Sequence, residues 1–500
     1  MSIFDDFRQV ALRRPNAPAL VTLDGEVSYA NVLDLADLIA GGLLTAGLRT
    51  GDRVAVHLGN RPELVSVYYA CLRVGAVIVP VSYKLSGSEV GHLLAHSGAR
   101  FYLGESRVYE AWADVVGQSP ALEQAWVLDS PDATATTRPW SDLLVNGAAV
   151  IDDIGPDEPA AIFYTSGTTG RPKSFVLSQA TLGAGLVLMA ATGAGHADAT
   201  YCMVDLINPL GIVVLLTSLR RGRPLALTST HTADVILRML RTHRCGWICG
   251  APSTFRGLLN EADRSTGPAL DLRLTSCVAG GDACPPDLGR DFVKTFGTHL
   301  RGFYGLTETA APVIQQPRID AVDEPSIGWP LDGVEIRVEA EPGEVGELLL
   351  RSPSRPVGTW NGTELDRFDR EQWISTGDMV RQQPDGCLLF VARQNDLIMV
   401  EGYPVSPLQI EQELAAHPDV AAAIVFGVPD AGTGERVIAL VEPEPGRHVE
   451  VGELRRHLSG RVAKYKYPSE ISLVEKLPVL SSGKLGRQRL AADYPSSYAG

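Results

Sequence analysis

Positive charge is scarce in this 500-residue chain, where 44 lysines and arginines face 59 aspartates and glutamates, a formal net charge of −15. That balance argues against a general nucleic-acid or anionic-membrane binder, which needs a contiguous cationic surface. Long hydrophobic runs are missing as well. The longest, Leu206 to Leu219, falls short of the ~20 residues of a membrane span. It also carries Asn208 and Pro209, so it reads as a buried strand or helix and no stable membrane insertion is expected. Cysteine is sparse: seven residues, scattered and odd in number. Cys245 and Cys249 are the nearest pair, and no second pair at zinc-ligand spacing accompanies them. Reduced, buried thiols of a cytoplasmic protein are the expected state. The opening "MSIFDDFRQVALRR" is acidic and breaks off before any apolar stretch, which argues against a secretory leader.

The composition itself is that of an ordinary globular protein, 45% hydrophobic and 21% charged. Single cores stop growing near ~250–300 residues, so at least two folding units are expected. Residues 28–48 and 62–75 carry helical spacing, and 52–58 and 76–82 read as strands. Helix and strand alternating in short succession predict crossover units, hence a largely parallel sheet covered by helices. The pattern recurs from about residue 160 to 310, and closer strands at 333–340 and 346–352 suggest a small β-rich subdomain. The texture changes near residue 392. Ser406, Pro407 and Gln409 make a helix start, with a cap, a proline at the first helical position and a capping-box partner. Strands at 420–428, 436–443 and 470–475 and a helix at 451–459 complete a compact unit. The expected fold is therefore α/β: a large N-terminal domain of helix-covered, mostly parallel sheets plus a small β-subdomain, then a small α+β C-terminal domain. The expected boundaries are 1–392, a junction at 393–396, and 397–500.

"YTSGTTGRPKS", Tyr164 to Ser174, is the first segment that carries chemistry. Its glycines and hydroxyl residues expose backbone N–H groups that suit phosphate oxygens, and Lys173 adds a point charge. The lysine follows Gly170 by three residues, whereas a Walker loop requires it immediately after the glycine. Taken alone, the segment also reads as a surface turn before a strand. Four more segments follow in order: "FYGLTET" (303–309), "WISTGD" (373–378), "ARQND" (392–396) and "LPVLSSGKLGRQ" (477–488).

With these motifs in this order, the chain resembles the adenylate-forming superfamily of acyl-CoA synthetases, adenylation domains of peptide synthetases and luciferases. The resemblance runs from about residue 10 to 490. It implies ATP, Mg²⁺ and a thiol acceptor, either CoA or the phosphopantetheine of an acyl or peptidyl carrier protein. It implies that Thr165, Ser166, Gly167, Thr168, Thr169, Gly170 and Lys173 cradle the β- and γ-phosphates, and that Thr307 contacts the α-phosphate. Glu308 would hold Mg²⁺. Tyr304 would stack on adenine beside Gly305, with Gly281, Asp282 and Ala283 lining the base pocket. Asp378 and Arg393 would hold the ribose, and Lys484 would bridge the substrate carboxylate and the α-phosphate. By the same resemblance the C-terminal domain is mobile and swings about Asn395 between two half-reactions, with Gly402 beside the thiol tunnel. Gly250, Ala251 and Gly280 would line the acid pocket.

The chain departs from the family at two places. Ser174 stands where the family loop usually continues with glycine. In "DLINPLG" (205–211), Asp205 and Asn208 stand where acyl-CoA synthetases often have proline and histidine. That segment borders the acyl pocket in the family. Asn208 could then bond a polar substituent and Asp205 a substrate amine, or both could satisfy backbone groups at a helix start. The α-amino-acid signature Phe-Asp-x-Ser is absent, which counts against an ordinary peptide-synthetase domain. Arg455, Arg456, Lys464 and Lys466 are candidates for the CoA 3′-phosphate, or a solvated basic face. The expected activity is an ATP-dependent acid–thiol ligase acting on a small carboxylic acid as a monomer or homodimer. A non-catalytic ATP-binding scaffold is the competing reading. Replacing Lys484→Ala should nearly abolish substrate-dependent pyrophosphate exchange while leaving ATP binding largely intact, and unchanged exchange would remove the role assigned to this lysine.

Overall fold

The computed structural model describes residues 2–130, 137–147, 154–165, 173–264, 272–282, 284–320, 326–369, 371–400, 403–430, 434–459, 461–477 and 487–494. The chain forms two compact units, Met1–Glu335 with Arg351–Trp373, and Ile336–Leu350 with Ile374–Gly500.

The first unit is built on two helix-covered sheets. In one, the strands Leu300–Tyr304, Ser276–Gly280, Trp247–Gly250, Thr200–Cys202, Leu225–Ala226 and Pro18–Val21 lie side by side, all parallel. In the other, Pro159–Thr165, Val77–Pro80, Arg53–His57, Phe101–Glu105 and Gln124–Leu128 are parallel neighbours. Antiparallel strands extend the second sheet: Lys173–Ser178, then Gly358–Trp360 and Leu365–Arg367. Parallel strands flanked by helices bury both faces, so their sequences read as near-continuous apolar runs such as Val77–Pro80. Serine caps set the helix starts. Ser86 and Ser178 each accept from the backbone N–H three residues on and donate their own backbone N–H to that residue's side chain, Glu89 and Thr181.

The apolar run 206–219 resolves as a helix, Pro209–Arg220, buried along almost its whole length. Proline at its first position needs no N–H there, and a helix apolar all round belongs in a core. None of the seven cysteines, all among the described residues, is in a disulfide; six are buried and Cys284 is intermediate. No described helix is long and apolar enough to cross a membrane.

In the second unit, Val345–Arg351, Ile374–Gln382 and Leu388–Arg393 form an antiparallel run. A separate sheet joins Tyr403–Val405, Ile398–Val400, Gly434–Pro443 and Val420–Asp430, with Glu470–Leu473 parallel to Gly434–Pro443. Helices Pro407–Ala415 and Val451–Leu458 pack on it around Val405, Ile410, Val425 and Leu454. Ser406 caps the first of these helices by accepting from Gln409 N. Gln409 is not seen to close a capping box among the described residues; its side chain accepts from Lys466 Nζ at 2.7 Å instead.

A buried ion pair fastens this unit. Glu411 is 8% exposed; its carboxylate accepts from Val425 N at 2.7 Å and from Arg487 at 3.2 and 2.6 Å. Arg487 Nη1 also reaches Asp396 at 3.4 Å. Burial pushes the Glu411 carboxyl above its ordinary pKa, and Arg487 draws it back. A buried pair adds little net stability, but deleting one member leaves the other charge uncompensated. Glu411→Ala should therefore cost about 3 kcal/mol in equilibrium urea unfolding, and Glu411→Ala with Arg487→Met should cost less than Glu411→Ala alone. A single variant as stable as the parent would show that the pair carries no such strain.

Candidate active site

The strands Thr200–Cys202, Trp247–Gly250, Ser276–Gly280 and Leu300–Tyr304 are consecutive parallel neighbours, so their carboxyl ends share one edge of the sheet. Asp205 and Asn208, Gly250 and Ala251, Gly280 to Asp282, and Tyr304 to Glu308 all follow those ends. Ligands of parallel α/β sheets bind in the crevice outside such an edge. The ladder pairs Gly250 with Ala279 and Gly280 with Phe303. Glycine is required at position 280, because a Cβ there would lie 2.6 Å from the Phe303 ring and carbonyl oxygen. Gly305 is as constrained, with the Ala311 carbonyl oxygen 2.6 Å from where its Cβ would be.

After Tyr304 the chain makes a short helical turn, Thr307–Thr309, ending at Ala310 with φ 53°. Thr309 is fully buried. Its hydroxyl accepts from Leu306 N at 3.0 Å and lies 3.0 Å from the Leu306 and Ala311 carbonyl oxygens, to either of which it can donate. The turn leaves Thr307 and Glu308 half-buried. Among the described residues Glu308 has no ion-pair partner, and no three His, Cys, Asp or Glu residues cluster as a metal cage. A single hard carboxylate suits a cation that takes its remaining ligands from water and phosphate. Thr309 stood inside a recognised motif without a role of its own; a hydroxyl three residues after Leu306, at a helix-turn start, was the available signal.

In the second unit, Asp378 and Arg393 are direct cross-strand partners, with Arg393 Nε 2.9 Å from the carboxylate. Asp378 is 1% exposed, whereas the Arg393 side chain is 57% exposed. The approach to Asp378 is fixed locally. Thr376 Oγ1 donates to Leu348 O at 2.7 Å and accepts from Asp378 N at 3.0 Å. Gly377 takes φ +67°, a conformation that suits glycine, and its N–H donates to Glu347 at 3.0 Å. Asn395 sits in a short helical turn, Gln394–Asp396, directly after that strand.

Asp205 is engaged within the protein. Its carboxylate accepts from Tyr83 OH and Lys84 Nζ, each at 3.0 Å, and His231 Nε2 lies at 3.7 Å. Burial would raise its pKa, but the bonds from His231, Lys84 and Tyr83 prevail and hold it down to about 2. Asn208 is exposed at the helix start and bonds the Asp205 carbonyl oxygen through Nδ2 at 3.2 Å. The partners Tyr83, Lys84 and His231 come from distant loops and carried no local sequence signal. Of the candidate basic residues, Arg455 donates to Ser469 O at 3.0 Å, Arg456 to Gly452 O at 3.3 Å and Lys466 to Gln409. Lys173 is exposed where its strand begins. The candidate positions Ser166, Gly167, Thr168, Thr169, Gly170, Ala283, Gly402 and Lys484 lie outside the described residues, as does the Thr165 side chain.

Residues 7–357 match the model of the AMP-binding enzyme family, and residues 409–484 that of the AMP-binding enzyme C-terminal domain. The chain belongs to this family. It is an adenylate-forming acid–thiol ligase, as the acyl- and aryl-CoA ligases among its relatives indicate. A solved structure of coronafacic acid ligase from Pectobacterium brasiliense is 37% identical, with TM-score 0.83, covering 100% of this chain and 99% of that one. A fatty acid–acyl-carrier-protein ligase, ScoC, of Streptomyces coeruleorubidus is 30% identical over 497 residues, 96% of this chain and 94% of its own. A feruloyl-CoA synthase of an Amycolatopsis species is 28% identical over 481 residues, 94% of each chain.

The Asp205 cluster makes a pH-dependent contribution. A carboxylate with a depressed folded-state pKa stabilises above its unfolded value, near ~3.9, and loses that contribution as the pH falls through the folded value. Asp205→Asn should thus cost about 1 kcal/mol at pH 5, after discounting for solvent screening, and the deficit should shrink as the pH falls from about 4 toward 2. Paired urea titrations at pH 5 and pH 3 check it, and a deficit that grows on acidification would contradict the assignment.

Proposed function

We propose that this ligase activates a small, apolar acyl or aryl carboxylic acid and passes it to CoA. A carboxylate oxygen of the acid attacks the α-phosphorus of ATP, the bond to the bridging oxygen breaks, and pyrophosphate leaves. A thiolate then attacks the acyl carbon, forming the thioester and releasing AMP. The observation that supports this most is the shared strand edge, where the Gly280–Asp282 and Tyr304–Glu308 segments follow adjacent parallel strands.

On this reading Tyr304 packs against adenine and Thr307 donates to the α-phosphate as negative charge builds there. Asp378 and Arg393 hold the ribose, the loop from Thr165 to Lys173 holds the departing phosphates, and Lys484 aligns carboxylate with phosphorus. Glu308 would hold Mg²⁺, which when bound neutralises phosphate charge. Domains at 1–392 and 397–500, exchanging about Asn395, would bring Lys484 and then Gly402 to the same centre. Cysteines outside disulfides, six of the seven buried, suit a reducing compartment, the cytoplasm.

The apolar preference rests on the occupied charge at Asp205. With Lys84 and His231 beside it, that carboxylate offers no unpaired anion to a substrate amine. Small residues at Gly250, Ala251 and Gly280 leave room for an acyl or ring body. A second reading, transfer to a carrier-protein phosphopantetheine, is favoured by the resemblance to the acyl-carrier-protein ligase ScoC. Pyrophosphate exchange with octanoate, benzoate, ferulate and anthranilate, followed by CoA against a carrier protein as acceptor, tests both. Octanoate and benzoate should exceed anthranilate, whose ring bears an amino group, by about tenfold, the effect of about 1.4 kcal/mol of lost pairing. Absence of exchange with every acid would overturn the apolar preference and point to an unusual substrate.

A further inference from the structure

Ser174, the residue that departs from the family pattern at the end of the phosphate-binding segment, is buried and doubly bonded. Its hydroxyl donates to the Trp360 carbonyl oxygen at 2.6 Å and accepts from Trp360 N at 3.0 Å. Those two bonds act as an extra rung between the Lys173–Ser178 and Gly358–Trp360 strands, which also pair at Val176 and Gly358. Directly across the other ladder, Ser174 opposes Tyr164, and Lys173 opposes Thr165. Tyr164 and Ser174 therefore flank the two ends of the segment at equal height on one face of the sheet.

Both flanks are tied to one point. The Tyr164 hydroxyl lies 3.0 Å from His96 Nδ1, and the Trp360 indole N–H donates to the His96 carbonyl oxygen at 2.9 Å. His96 lies in the last turn of the helix Gly87–Ser97. Arg53 closes the group from outside. Its guanidinium stands 5.1 Å from the Trp360 ring centroid and donates to the Ser97 and Gly98 carbonyl oxygens at 2.9 Å each. The hairpin presenting Trp360 turns through Gly362 at φ +106°, where a Cβ would stand 3.8 Å from His96. Asn361 Oδ1 holds that turn by accepting from the N–H groups of Thr363 and Glu364, each at 3.0 Å.

We propose that Ser174, Trp360, His96 and Tyr164 form a buckle that fixes the two strand ends carrying the phosphate-binding segment, making Ser174 a positioning residue for the β- and γ-phosphates of a nucleoside triphosphate. The inference rests on the proposed role of the Thr165–Lys173 segment. Its signature is selectivity: a residue acting through those strand ends affects ATP, whose outer phosphates the segment would hold, and spares AMP, which lacks them. A merely structural residue would weaken both alike.

Calorimetric titration of the full-length protein with ATP and with AMP, each with magnesium chloride, provides the test. Ser174→Ala removes both hydroxyl bonds and should raise the Kd for ATP about tenfold while leaving AMP within about twofold. Ser174→Thr keeps the hydroxyl and should restore ATP affinity. Tyr164→Phe removes the other tie and should shift ATP selectively in the same direction; it decides the matter should Ser174→Ala fail to fold. Equal weakening of ATP and AMP, or unchanged ATP affinity in both variants, overturns the buckle while the nucleotide-activating reading stands. A wild-type protein that binds neither nucleotide overturns that reading and the buckle with it.

Discussion

The parallel ladder running from Thr200–Cys202 to Leu300–Tyr304 is the constraint on which the site depends. A parallel sheet fixes the heights of its strand ends relative to one another, and a slip of one residue would turn every side chain to the opposite face. Once Gly250 stands beside Ala279 and Gly280 beside Phe303, the segments after those strands must emerge together. The close approaches at Gly280 and Gly305 follow from that register. A Cβ at either position would strike backbone, which cannot yield without moving the ladder. The glycines are therefore conditions of the edge rather than independent features of the motifs.

Polar contacts over long sequence separations do the remaining positioning. Asp205 reaches Tyr83 and Lys84 across more than a hundred residues, and Ser174 reaches Trp360 across 186. Each links loops or strands that the apolar core alone would leave with rotational freedom. Hydrophobic packing is non-directional, whereas a bonded and half-buried carboxylate or hydroxyl admits one geometry. The cost of burying these groups is offset by near-complete satisfaction of their hydrogen bonds, and that satisfaction defines the geometry.

This division explains what could be read in advance. Helix and strand alternation, the apolar run that became Pro209–Arg220 and the cap at Ser406 depend on neighbours within a few residues, so sequence carries them. The motif at Tyr304–Glu308 was legible because its turn is local. Thr309 lay within that motif, yet its function depends on backbone bonds that residue identity does not specify. Asp205 was open to two readings, a substrate contact or a backbone cap. The partners it has in the structure, Tyr83, Lys84 and His231, belong to other loops that the local sequence around 205 does not specify. Gln409 shows the same limit on a smaller scale: the right residue for a capping box stands at the right place, and Lys466 takes its side chain.

Ser174 shows why a departure from a family pattern can be informative. A glycine at that position could carry no side-chain bond, so the strand end would rely on ladder pairing alone. Fixing one residue's backbone costs roughly 1–2 kcal/mol of entropy, and a glycine-rich segment has more freedom to lose than most. Directional bonds at the two strand ends restrict the freedom of the chain that leaves them. Tyr164 and Ser174 stand opposite each other and are both tied through His96 and Trp360. The sequence thus combines glycine and small hydroxyl residues at 165–170 with directional bonds immediately outside the segment. On the proposed reading, a phosphate group would be met between two attachment points that these bonds fix.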